Sequence, residues 1–425
     1  MNNSYGTATD VDSGYAWLRL LAAALIGTIG NVGMWSVVVV LPALQADFGV
    51  DRGAASLPYT LTLLGFGFGG VIAGRIADRH GVMLPVMGGA IAIGLGYVAS
   101  AYAQSIWQFA IVFGLLIGLC GTSTIFAPLL ADMTHWFNKR RGIAVGICAS
   151  GNYLSGTIWP PILQAGIDTY GWRLTHIAVG IFCTVSLLLL APLLQRRPPP
   201  PAPVTAATVA NEASPALVGL RSSTLQTLLV VAGLACCVAM SMPQVHIVAY
   251  CADLGFGAQR GAEMLSIMLG FGVVSRIASG FISDKIGGLA TVLLGSALQT
   301  VALVLYMPFD GLASLYVVSA LFGLFQGGIV PAYALVVREL FPSSEAGTRV
   351  GIVIMSTLFG MALGGWMSGA IFDFTGSYQA AFLNGVIWNL LNVAIILFLL
   401  LRRRNRTTPP ARPRQAPDSE QLARA

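Results

Sequence analysis

Residues 74–81 read Gly-Arg-Ile-Ala-Asp-Arg-His-Gly, and residues 280–287 read Gly-Phe-Ile-Ser-Asp-Lys-Ile-Gly. The second stretch lies 206 positions after the first, and both keep glycine, aspartate, a basic residue and glycine at the same places. Each stretch follows an apolar run of about 20 residues, the length needed to cross a bilayer. A weaker match relates residues 136–146 to residues 340–352. The repeat indicates a chain of two similar halves.

The composition is that of an integral membrane protein. Of the 425 residues, 56% are hydrophobic and 9% are charged, and the mean hydropathy is +0.77. A soluble domain carries about a quarter charged residues. The six cysteines fall within apolar runs, with no Cys-x-x-Cys pair and no histidine at ligand spacing. We therefore expect no disulfide, no metal site and no cofactor.

Twelve apolar stretches are long enough to be membrane-spanning helices. The sequence predicts an all-α membrane protein with twelve transmembrane helices in two six-helix repeats. The predicted spans are 15–43, 55–77, 82–103, 106–133, 141–166, 174–195, 223–252, 260–283, 288–308, 311–337, 348–372 and 378–401.

The polar stretches between and after these spans set the expected domain limits. Residues 1–14 form a polar N-terminal tail, and residues 15–195 form the first six-helix bundle. Residues 196–222 are rich in Pro, Ala and Thr, a composition typical of a linker. Residues 223–401 form the second bundle. Residues 402–425, rich in Arg and Pro, are expected to be a disordered basic tail.

Basic residues are distributed unevenly between the loops. If the N-terminus is cytoplasmic, the opposite loops hold only three of the 23 lysines and arginines, namely Arg52, Arg173 and Arg260. Cytoplasmic loops carry the excess of basic residues in membrane proteins. We therefore expect a monomer in the bacterial inner membrane, with both termini in the cytoplasm. The net charge of +6 then reflects topology and does not indicate a nucleic-acid partner.

One arginine, Arg276, falls near the middle of the eighth span. A guanidinium stays charged at physiological pH, and its placement at membrane depth is costly. Its helical neighbours Gly272, Ser279 and Gly280 are small, which predicts empty space beside the charge. This pattern favours an anion-binding site in a transporter. The alternative is a structural arginine bonded to backbone carbonyls.

Twelve spans, two repeated halves and the Gly-x-x-x-Asp-Arg-x-Gly loop resemble the major facilitator superfamily across nearly the whole chain. The resemblance implies alternating access by rocking of two halves, with this loop as a gate. In the first half, Gly74 allows close helix approach. We expect Asp78 to accept hydrogen bonds at a helix N-terminus, and Arg79 to pair with a carboxylate such as Asp132.

The second copy of the loop predicts the same arrangement in the second half. Here Asp284 and Lys285 would use Glu339 as the acidic partner, and such pairs would hold one side of the protein closed. The alternative is that these residues only form turns and set the membrane topology. The presence of two copies in register favours the gating role.

Two further stretches narrow the resemblance. Residues 12–17 read Asp-Ser-Gly-Tyr-Ala-Trp, and residues 136–142 read Trp-Phe-Asn-Lys-Arg-Arg-Gly. With an arginine in the eighth span, they resemble the monocarboxylate porter family, including bacterial members related to the oxalate:formate exchanger. In that family this arginine binds the substrate carboxylate, and the resemblance implies the same role for Arg276. A planar guanidinium suits a bidentate carboxylate contact.

The chain departs from that family at two positions. Mammalian members carry an acidic residue one turn before the arginine, where this chain has Gly272. The oxalate exchangers add a lysine in the eleventh span, but no lysine or arginine occurs between Gly351 and Phe372. A single buried positive charge favours a monoanion, because a second carboxylate would be desolvated without a partner.

Other polar residues at membrane depth are candidate substrate ligands. His246 and Tyr250 lie one turn apart in the seventh span, and Tyr333 follows Pro331 in the tenth. Asn31 in the first span and Asn152 in the fifth could also contact a carboxylate. His246 is in addition a candidate proton carrier. The alternative for each is a hydrogen bond between packed helices.

We expect a secondary active transporter that moves a small monocarboxylate across the membrane, with proton coupling. The expected partners are this substrate, protons and the lipid bilayer. The alternative is a carboxylate anion exchanger of the oxalate:formate type, followed by a drug-efflux facilitator or a transporter-like sensor. A lone buried arginine disfavours cationic drugs. The chain lacks a nucleophile–base pair or paired carboxylates at membrane depth, which argues against an enzyme.

Overall fold

The computed structural model describes residues 10–197 and 219–407, which we call the N-terminal half and the C-terminal half. Both ranges are helical, and neither contains a β-strand. Most of the predicted N-terminal tail (1–14), linker (196–222) and disordered C-terminal tail (402–425) lies outside the described residues, and these three limits stay predictions. The described residues 402–407 continue the last helix.

The helices of the N-terminal half are α1 (Gly14–Gly30), α2 (Val32–Phe48), α3 (Arg52–Ala55), α4 (Leu57–His80), α5 (Met83–Ala101), α6 (Ile106–Val112), α7 (Ser123–Trp136), α8 (Arg141–Tyr170) and α9 (Trp172–Leu190). A π-helical segment, Phe113–Thr122, joins α6 to α7, and a 3₁₀ turn, Ala191–Leu194, follows α9. The helices of the C-terminal half are α10 (Ser222–Asp253), α11 (Ala258–Ile286), α12 (Gly288–Leu305), α13 (Leu312–Gln326), α14 (Ile329–Leu340), α15 (Ser343–Thr375) and α16 (Tyr378–Thr407).

In the described ranges, eleven helical segments are both long and apolar enough to cross a membrane. They confirm an all-α multi-pass membrane protein and match eleven of the twelve predicted spans. The predicted span at 141–166 corresponds to α8, which is 30 residues long but is not among the eleven. This helix is less apolar because its centre carries Asn152, Ser155 and Thr157.

The first predicted span is divided at Asn31 into α1 and α2. The Asn31 side-chain Nδ2 donates to the carbonyl of Gly27 at 2.6 Å, and its backbone N–H donates to the same oxygen at 3.1 Å. Glycines on either side allow tight packing of this segment. A Cβ at Gly30 would lie 2.4 Å from the side chain of Ile125. The break therefore occurs where an asparagine caps α1 within a glycine-rich segment.

Close glycine contacts also shape the fourth predicted span, which contains the π-helical segment. A Cβ at Gly65 of α4 would lie 2.2 Å from the carbonyl oxygen of Gly114. A Cβ at Gly118 would lie 2.5 Å from the carbonyl oxygen of Thr62. These glycines allow the backbone of α4 to contact the π-helical segment directly, as small residues do between membrane helices.

The two ends of the molecule can be identified from loop contacts. At one end, which we call the terminal end, the backbone N–H of Asp12 donates to Trp136 at 3.0 Å, and that of Gly288 donates to the Glu339 carboxylate at 2.6 Å. At the opposite end, which we call the far end, Arg173 pairs with Asp47 at 2.7 Å.

The two halves are in contact at the far end and apart at the terminal end. They meet through α4 with α15 and through α8 with α11. Near the far end, a Cβ at Gly369 would lie 2.9 Å from the carbonyl oxygen of Arg52. Near the terminal end of the same helices and of α11, a Cβ at Gly74, Gly351 or Gly280 would meet nothing within 4 Å. The structure is therefore open towards the terminal end.

Candidate functional site

Arg276 lies on α11 where this helix faces α8 of the other half. Its Nη1 donates to the carbonyl of Ala149 at 3.1 Å, and its guanidinium lies 3.8 Å from the ring centroid of Tyr153. The Nε atom is buried and has no hydrogen-bond partner. Within residues 10–197 and 219–407, Arg276 forms no ion pair. The side chain therefore keeps unused N–H donors and an uncompensated charge at the boundary between the halves.

The expected space beside Arg276 is only partly present. A Cβ at Gly272 would lie 2.4 Å from Cε1 of Tyr153, so the tyrosine ring fills the position next to this glycine. Ser279 is packed against Gly328, where an added Cβ would lie 2.3 Å from the serine Cβ. Only Gly280, on the terminal-end side, faces open space. The prediction of empty space was wrong at Gly272 and Ser279, because neighbouring helices supply the missing side chains.

These two glycines of α11 give a matched pair of substitutions. Gly272→Ala is expected to lower the stability by about 1–3 kcal/mol, because overpacking forces the Tyr153 ring to move. Gly280→Ala is expected to raise it by about 0.5–1 kcal/mol, because alanine favours a helix and no atom obstructs it. Thermal unfolding of the two variants in detergent measures both effects. Equal shifts of the melting temperature would contradict the packing of Tyr153 on Gly272.

Asn152 and Asn31 contact protein groups in the N-terminal half. The backbone carbonyl and Oδ1 of Asn152 accept from the Trp35 indole N–H at 3.0 and 3.2 Å. Asn31 donates to Gly27 through Nδ2, and its buried Oδ1 has no partner. Asn152 adjoins Tyr153 in the chain and is thus close to Arg276, whereas Asn31 lies at the α1–α2 break. Their predicted substrate contacts stay predictions.

Tyr333 lies inside the C-terminal half, away from Arg276. Its hydroxyl donates to Oδ1 of Asn392 at 2.6 Å, and the amide of Asn392 donates to the Ser296 hydroxyl at 2.7 Å. The tyrosine is fully buried. The described structure therefore favours the packing alternative for Tyr333, because a buried side-chain network already uses its hydroxyl.

A group of charged residues connects the two halves at the far end. Both terminal nitrogens of the Arg52 guanidinium donate to the Asp253 carboxylate, with Nη2–Oδ1 at 3.1 Å. The backbone N–H groups of Arg52 and Gly53 donate to the Asp373 carboxylate at 2.9 and 2.7 Å. Arg52 Nη1 also donates to the Tyr378 hydroxyl at 2.7 Å. We call Arg52, Asp253, Asp373 and Tyr378 the far-end cluster.

His246 and Tyr250 contact this cluster and do not contact Arg276. The carbonyl of Gly365 lies 2.8 Å from His246 Nε2, so this nitrogen donates, and Nδ1 accepts from the Tyr378 hydroxyl at 3.3 Å. The ring of Tyr250 packs on that of Tyr378 with centroids 5.3 Å apart. Both ring nitrogens of His246 are therefore used within the protein. The six predicted ligands do not form one site in this conformation.

The predicted gating residues are at the terminal end. Asp78, Arg79, Asp284 and Lys285 are exposed there, and Gly74 faces open space. No ion pair involves the four charged residues in the part of the chain that the structure describes. Their gating role stays a prediction, and it concerns a conformation in which this end is closed.

Asp132 and Glu339, the expected acidic partners of the gating residues, bind other groups in this conformation. Asp132 pairs with Arg19 in place of Arg79, through Nε–Oδ2 at 2.7 Å and Nη2–Oδ1 at 3.1 Å, with both side chains at most 1% exposed. Glu339 accepts from the backbone N–H of Gly288 and from Arg403 Nη1 at 2.8 Å. In this conformation each carboxylate is therefore bonded to a cation or N–H group of its own half, and the pairings expected when the terminal end is closed stay predictions.

Loss of the buried ion pair is expected to be costly. Asp132→Asn should lower the stability by about 3–5 kcal/mol, because Arg19 would remain buried with an uncompensated charge. Glu345→Gln is the control, since Glu345 is 55% exposed in its pair with Arg349 and exposed pairs contribute up to about 1 kcal/mol. Thermal unfolding in detergent measures the difference. A similar small loss in both variants would contradict the buried pairing.

Comparison with known proteins identifies the family. The family model described as Major Facilitator Superfamily matches residues 23–318 and 288–424. The chain belongs to the major facilitator superfamily. This superfamily member is therefore a multi-pass membrane transporter, as the repeat and the composition predicted.

Curated relatives of this facilitator are named monocarboxylate transporters. It is 28% identical over 384 residues to monocarboxylate transporter 13 of Bos taurus, covering 87% of this chain and 86% of the relative. It is 28% identical over 389 residues to monocarboxylate transporter 11 of Mus musculus, covering 88% and 84%. The predicted resemblance to monocarboxylate porters is confirmed.

Solved structures of other facilitators share the fold. A bacterial homologue of the human lysosomal transporter Spinster, in an inward-facing and unoccupied conformation, matches with a TM-score of 0.63 and 16% identity over 94% of this chain and 96% of the other. A peptide transporter of the POT type in complex with sulfate matches with a TM-score of 0.66 and 14% identity over 91% and 94%.

Two features of this facilitator were missed by sequence reasoning. One is Tyr153, which follows the candidate Asn152 directly. The other is the role of Arg52, which the charge distribution places in a loop, while Asp253 and Asp373 occupy equivalent places at the far ends of α10 and α15. Acidic residues at two such helix ends, with one basic residue in an opposing loop, are a signal that could have indicated the far-end cluster.

Proposed function

We propose that the chain is a secondary active transporter that carries a small monocarboxylate across the membrane by alternating access. The observation that carries this proposal is the uncompensated charge of Arg276 between the halves. The guanidinium uses one hydrogen bond on Ala149 and one face on Tyr153, so several donors remain for a ligand. A carboxylate is the anion that fits these donors in a bidentate contact.

The charge and the surroundings of Arg276 favour a monoanion. One guanidinium balances one carboxylate, and a second carboxylate would be desolvated without a cation. The Tyr153 ring offers a flat apolar surface beside the charge, which suits the carbon skeleton of an organic acid. The names of the curated relatives support the same substrate class.

Alternating access would use the two ends in turn. The far-end cluster holds the halves together in the present conformation, and its release would open the far end. Closure of the terminal end would then bring the exposed residues Asp78, Arg79, Asp284 and Lys285 towards the opposite half. We further propose that the terminal end is cytoplasmic in a bacterial inner membrane, because most basic residues lie there, and that the protein acts as a monomer.

Proton coupling is the proposed driving mechanism. Asp253 and Asp373 join the halves as hydrogen-bond acceptors, from the Arg52 guanidinium and from the backbone N–H groups of Arg52 and Gly53. Protonation of either carboxylate would weaken its contact with Arg52 and favour opening of the far end. His246 lies next to this cluster through Tyr378 and is the candidate to exchange the proton. A proton would thus promote the change of conformation while the substrate occupies Arg276.

Anion exchange is the second candidate, and one observation favours it. The Tyr153 ring fills the space beside Gly272, the position at which the resemblance to mammalian monocarboxylate porters implies an acidic side chain. Arg276 therefore lacks an acidic neighbour that could neutralise it when the site is empty. If the empty site keeps an unpaired positive charge, the change back to the first conformation is easier when another anion occupies the site and neutralises that charge.

Paired ligands test the substrate class in the purified protein. Butyrate and pyruvate are expected to raise the melting temperature with the logarithm of their concentration, whereas butyramide and pyruvamide should have no effect. Equal stabilisation by acid and amide, or none by any monocarboxylate, would contradict the proposal. In proteoliposomes without internal anion, uptake driven by a pH gradient supports proton coupling, and uptake only with internal carboxylate supports exchange.

A further inference from the structure

A cavity of about 210 Å³ lies at the terminal end, between the start of α1 and the 3₁₀ turn after α9. Tyr15 and Arg19 of α1 line one wall, and Leu193 and Arg196 line the other. The Tyr15 hydroxyl donates to the carbonyl of Leu193 at 3.3 Å, which joins the two walls. Leu18 and Leu193 are exposed at the rim. The cavity therefore lies on the surface of the N-terminal half.

One of the two arginines in this cavity carries an unpaired charge. The charge of Arg19 is neutralised by its buried pair with Asp132. The guanidinium of Arg196 is exposed and lies 4.7 Å from the ring centroid of Tyr15. Among residues 10–197 and 219–407 it forms no ion pair and no hydrogen bond. The cavity thus offers one positive charge with unused N–H donors.

The equivalent arginine of the C-terminal half has an oxygen acceptor within the protein. Arg402 lies 206 positions after Arg196, at the same offset as the repeated loops. Its guanidinium lies 5.8 Å from the ring centroid of Phe398, and its Nη2 donates to the carbonyl of Gly219 at 3.3 Å. A protein oxygen therefore occupies beside Arg402 the place that a ligand oxygen would take beside Arg196.

Exposed apolar side chains lead away from the cavity along α1 and α9. They form one stripe on each helix, which we call the apolar stripes: Leu18, Leu21 and Leu25 on α1, and Phe182, Leu189 and Leu193 on α9. Their spacing places each set on one face of its helix. Trp159 of α8 connects the other ends of the stripes, because its indole N–H donates to the carbonyl of Thr28 at 3.1 Å and its ring packs on Phe182 with centroids 5.6 Å apart.

The length of the apolar stripes suits a lipid chain. Phe182 and Leu193 are about 16 Å apart along the helix axis at 1.5 Å per residue. This is about half the thickness of the hydrocarbon core of a bilayer, and an acyl chain of one leaflet crosses the same distance. A cation at one end of such a surface matches a lipid with an anionic headgroup.

We propose that this cavity binds the phosphate group of an anionic glycerophospholipid, with the acyl chains on the apolar stripes. A phosphodiester carries one negative charge, which the single charge of Arg196 balances, and its oxygens accept hydrogen bonds from the guanidinium. Inorganic phosphate has the same oxygen chemistry but makes no use of the stripes. The site is separate from Arg276, so this inference does not depend on the proposed carboxylate site.

A photoreactive lipid tests the location. Phosphatidylglycerol with a diazirine in one acyl chain is added to the purified full chain in detergent, and labelled peptides are identified by mass spectrometry. We expect labelling within residues 18–25 and 182–193. Unlabelled phosphatidylglycerol should suppress it at a concentration at least about fivefold lower than phosphatidylcholine with the same chains, because a basic residue at the membrane surface favours an anionic lipid by about this factor.

Three results of this experiment overturn the inference. The first is labelling confined to other segments, and the second is equal suppression by the two unlabelled lipids. The third is suppression by inorganic phosphate as effective as that by phosphatidylglycerol, which would identify a site for the free anion.

Variants test the role of Arg196. Arg196→Gln is expected to reduce the preference for phosphatidylglycerol to less than about twofold. Lys139→Gln is the matched control, because Lys139 is an exposed basic residue at the same end of the same half and does not line the cavity. It should keep the full preference. An unchanged preference in Arg196→Gln, or an equal loss in both variants, overturns the inference; both side chains are exposed, so both variants should fold.

Discussion

Arg276→Gln is expected to weaken monocarboxylate binding by at least about thirtyfold and to abolish transport. Removal of one partner of a desolvated charge pair costs about 2–5 kcal/mol, and each 1.4 kcal/mol is a factor of ten in affinity. The fold should be retained, because the guanidinium makes one hydrogen bond within the part of the chain that the structure describes, to Ala149. The measurements are ligand-induced thermal shift and uptake into proteoliposomes.

Two further substitutions define the origin of this loss. Arg276→Lys keeps the charge but lacks the planar fork, so we expect an intermediate affinity. Arg173→Gln removes an arginine that is 45% exposed in its pair with Asp47 at the far end, and it should leave binding unchanged. Substrate affinity that survives in Arg276→Gln, or falls equally in Arg173→Gln, would contradict the assignment.

Arg52→Gln is expected to shift the protein towards a far-end-open conformation by at least about tenfold. The Arg52 guanidinium donates to Asp253 and Tyr378 across the two halves, and its side chain is only 9% exposed. Hydrogen bonds to charged groups contribute about 1.5–3 kcal/mol, and each 1.4 kcal/mol is a factor of ten in the equilibrium constant. Asp253→Asn should act in the same direction.

Spin labels across the far end measure this shift. Labels at positions 51 and 375, one on each half, should show a longer distance in Arg52→Gln than in wild type. Arg173→Gln is again the matched control, because its pair with Asp47 lies within one half and should not change the distance. An unchanged distance in Arg52→Gln, or an equal increase in the control, would show that the far-end cluster does not hold the halves together.

The number and order of the membrane helices and the division into two halves could be predicted, because each depends on the composition of continuous stretches of sequence. Apolar run length places the membrane helices, and the repeat at residues 74–81 and 280–287 indicates two halves of the same design. The charge of Arg276 at membrane depth follows from its position within one apolar run. These features need no knowledge of which helices pack together, and the structure and the family comparison confirm the fold.

The contacts between helices could not be predicted in the same way. Asp132 pairs with Arg19, which is 113 positions away, and nothing in the loop motif distinguishes Arg19 from Arg79. Gly272 predicts a gap, but Tyr153 fills it from another helix. His246 is at membrane depth as expected, yet its position beside the far-end cluster depends on how α10 and α15 pack. Which side chains contact each other therefore depends on how distant segments of the chain pack together.

The most direct measurement is the position of a bound substrate analogue. A crystal of the protein with 4-bromobenzoate gives an anomalous signal from bromine and electron density for the carboxylate. We predict the carboxylate within hydrogen-bond distance of the Arg276 guanidinium, with the ring of the ligand close to Tyr153. Density for the ligand at any other location, with Arg276 still bonded only to Ala149, would contradict the central claim.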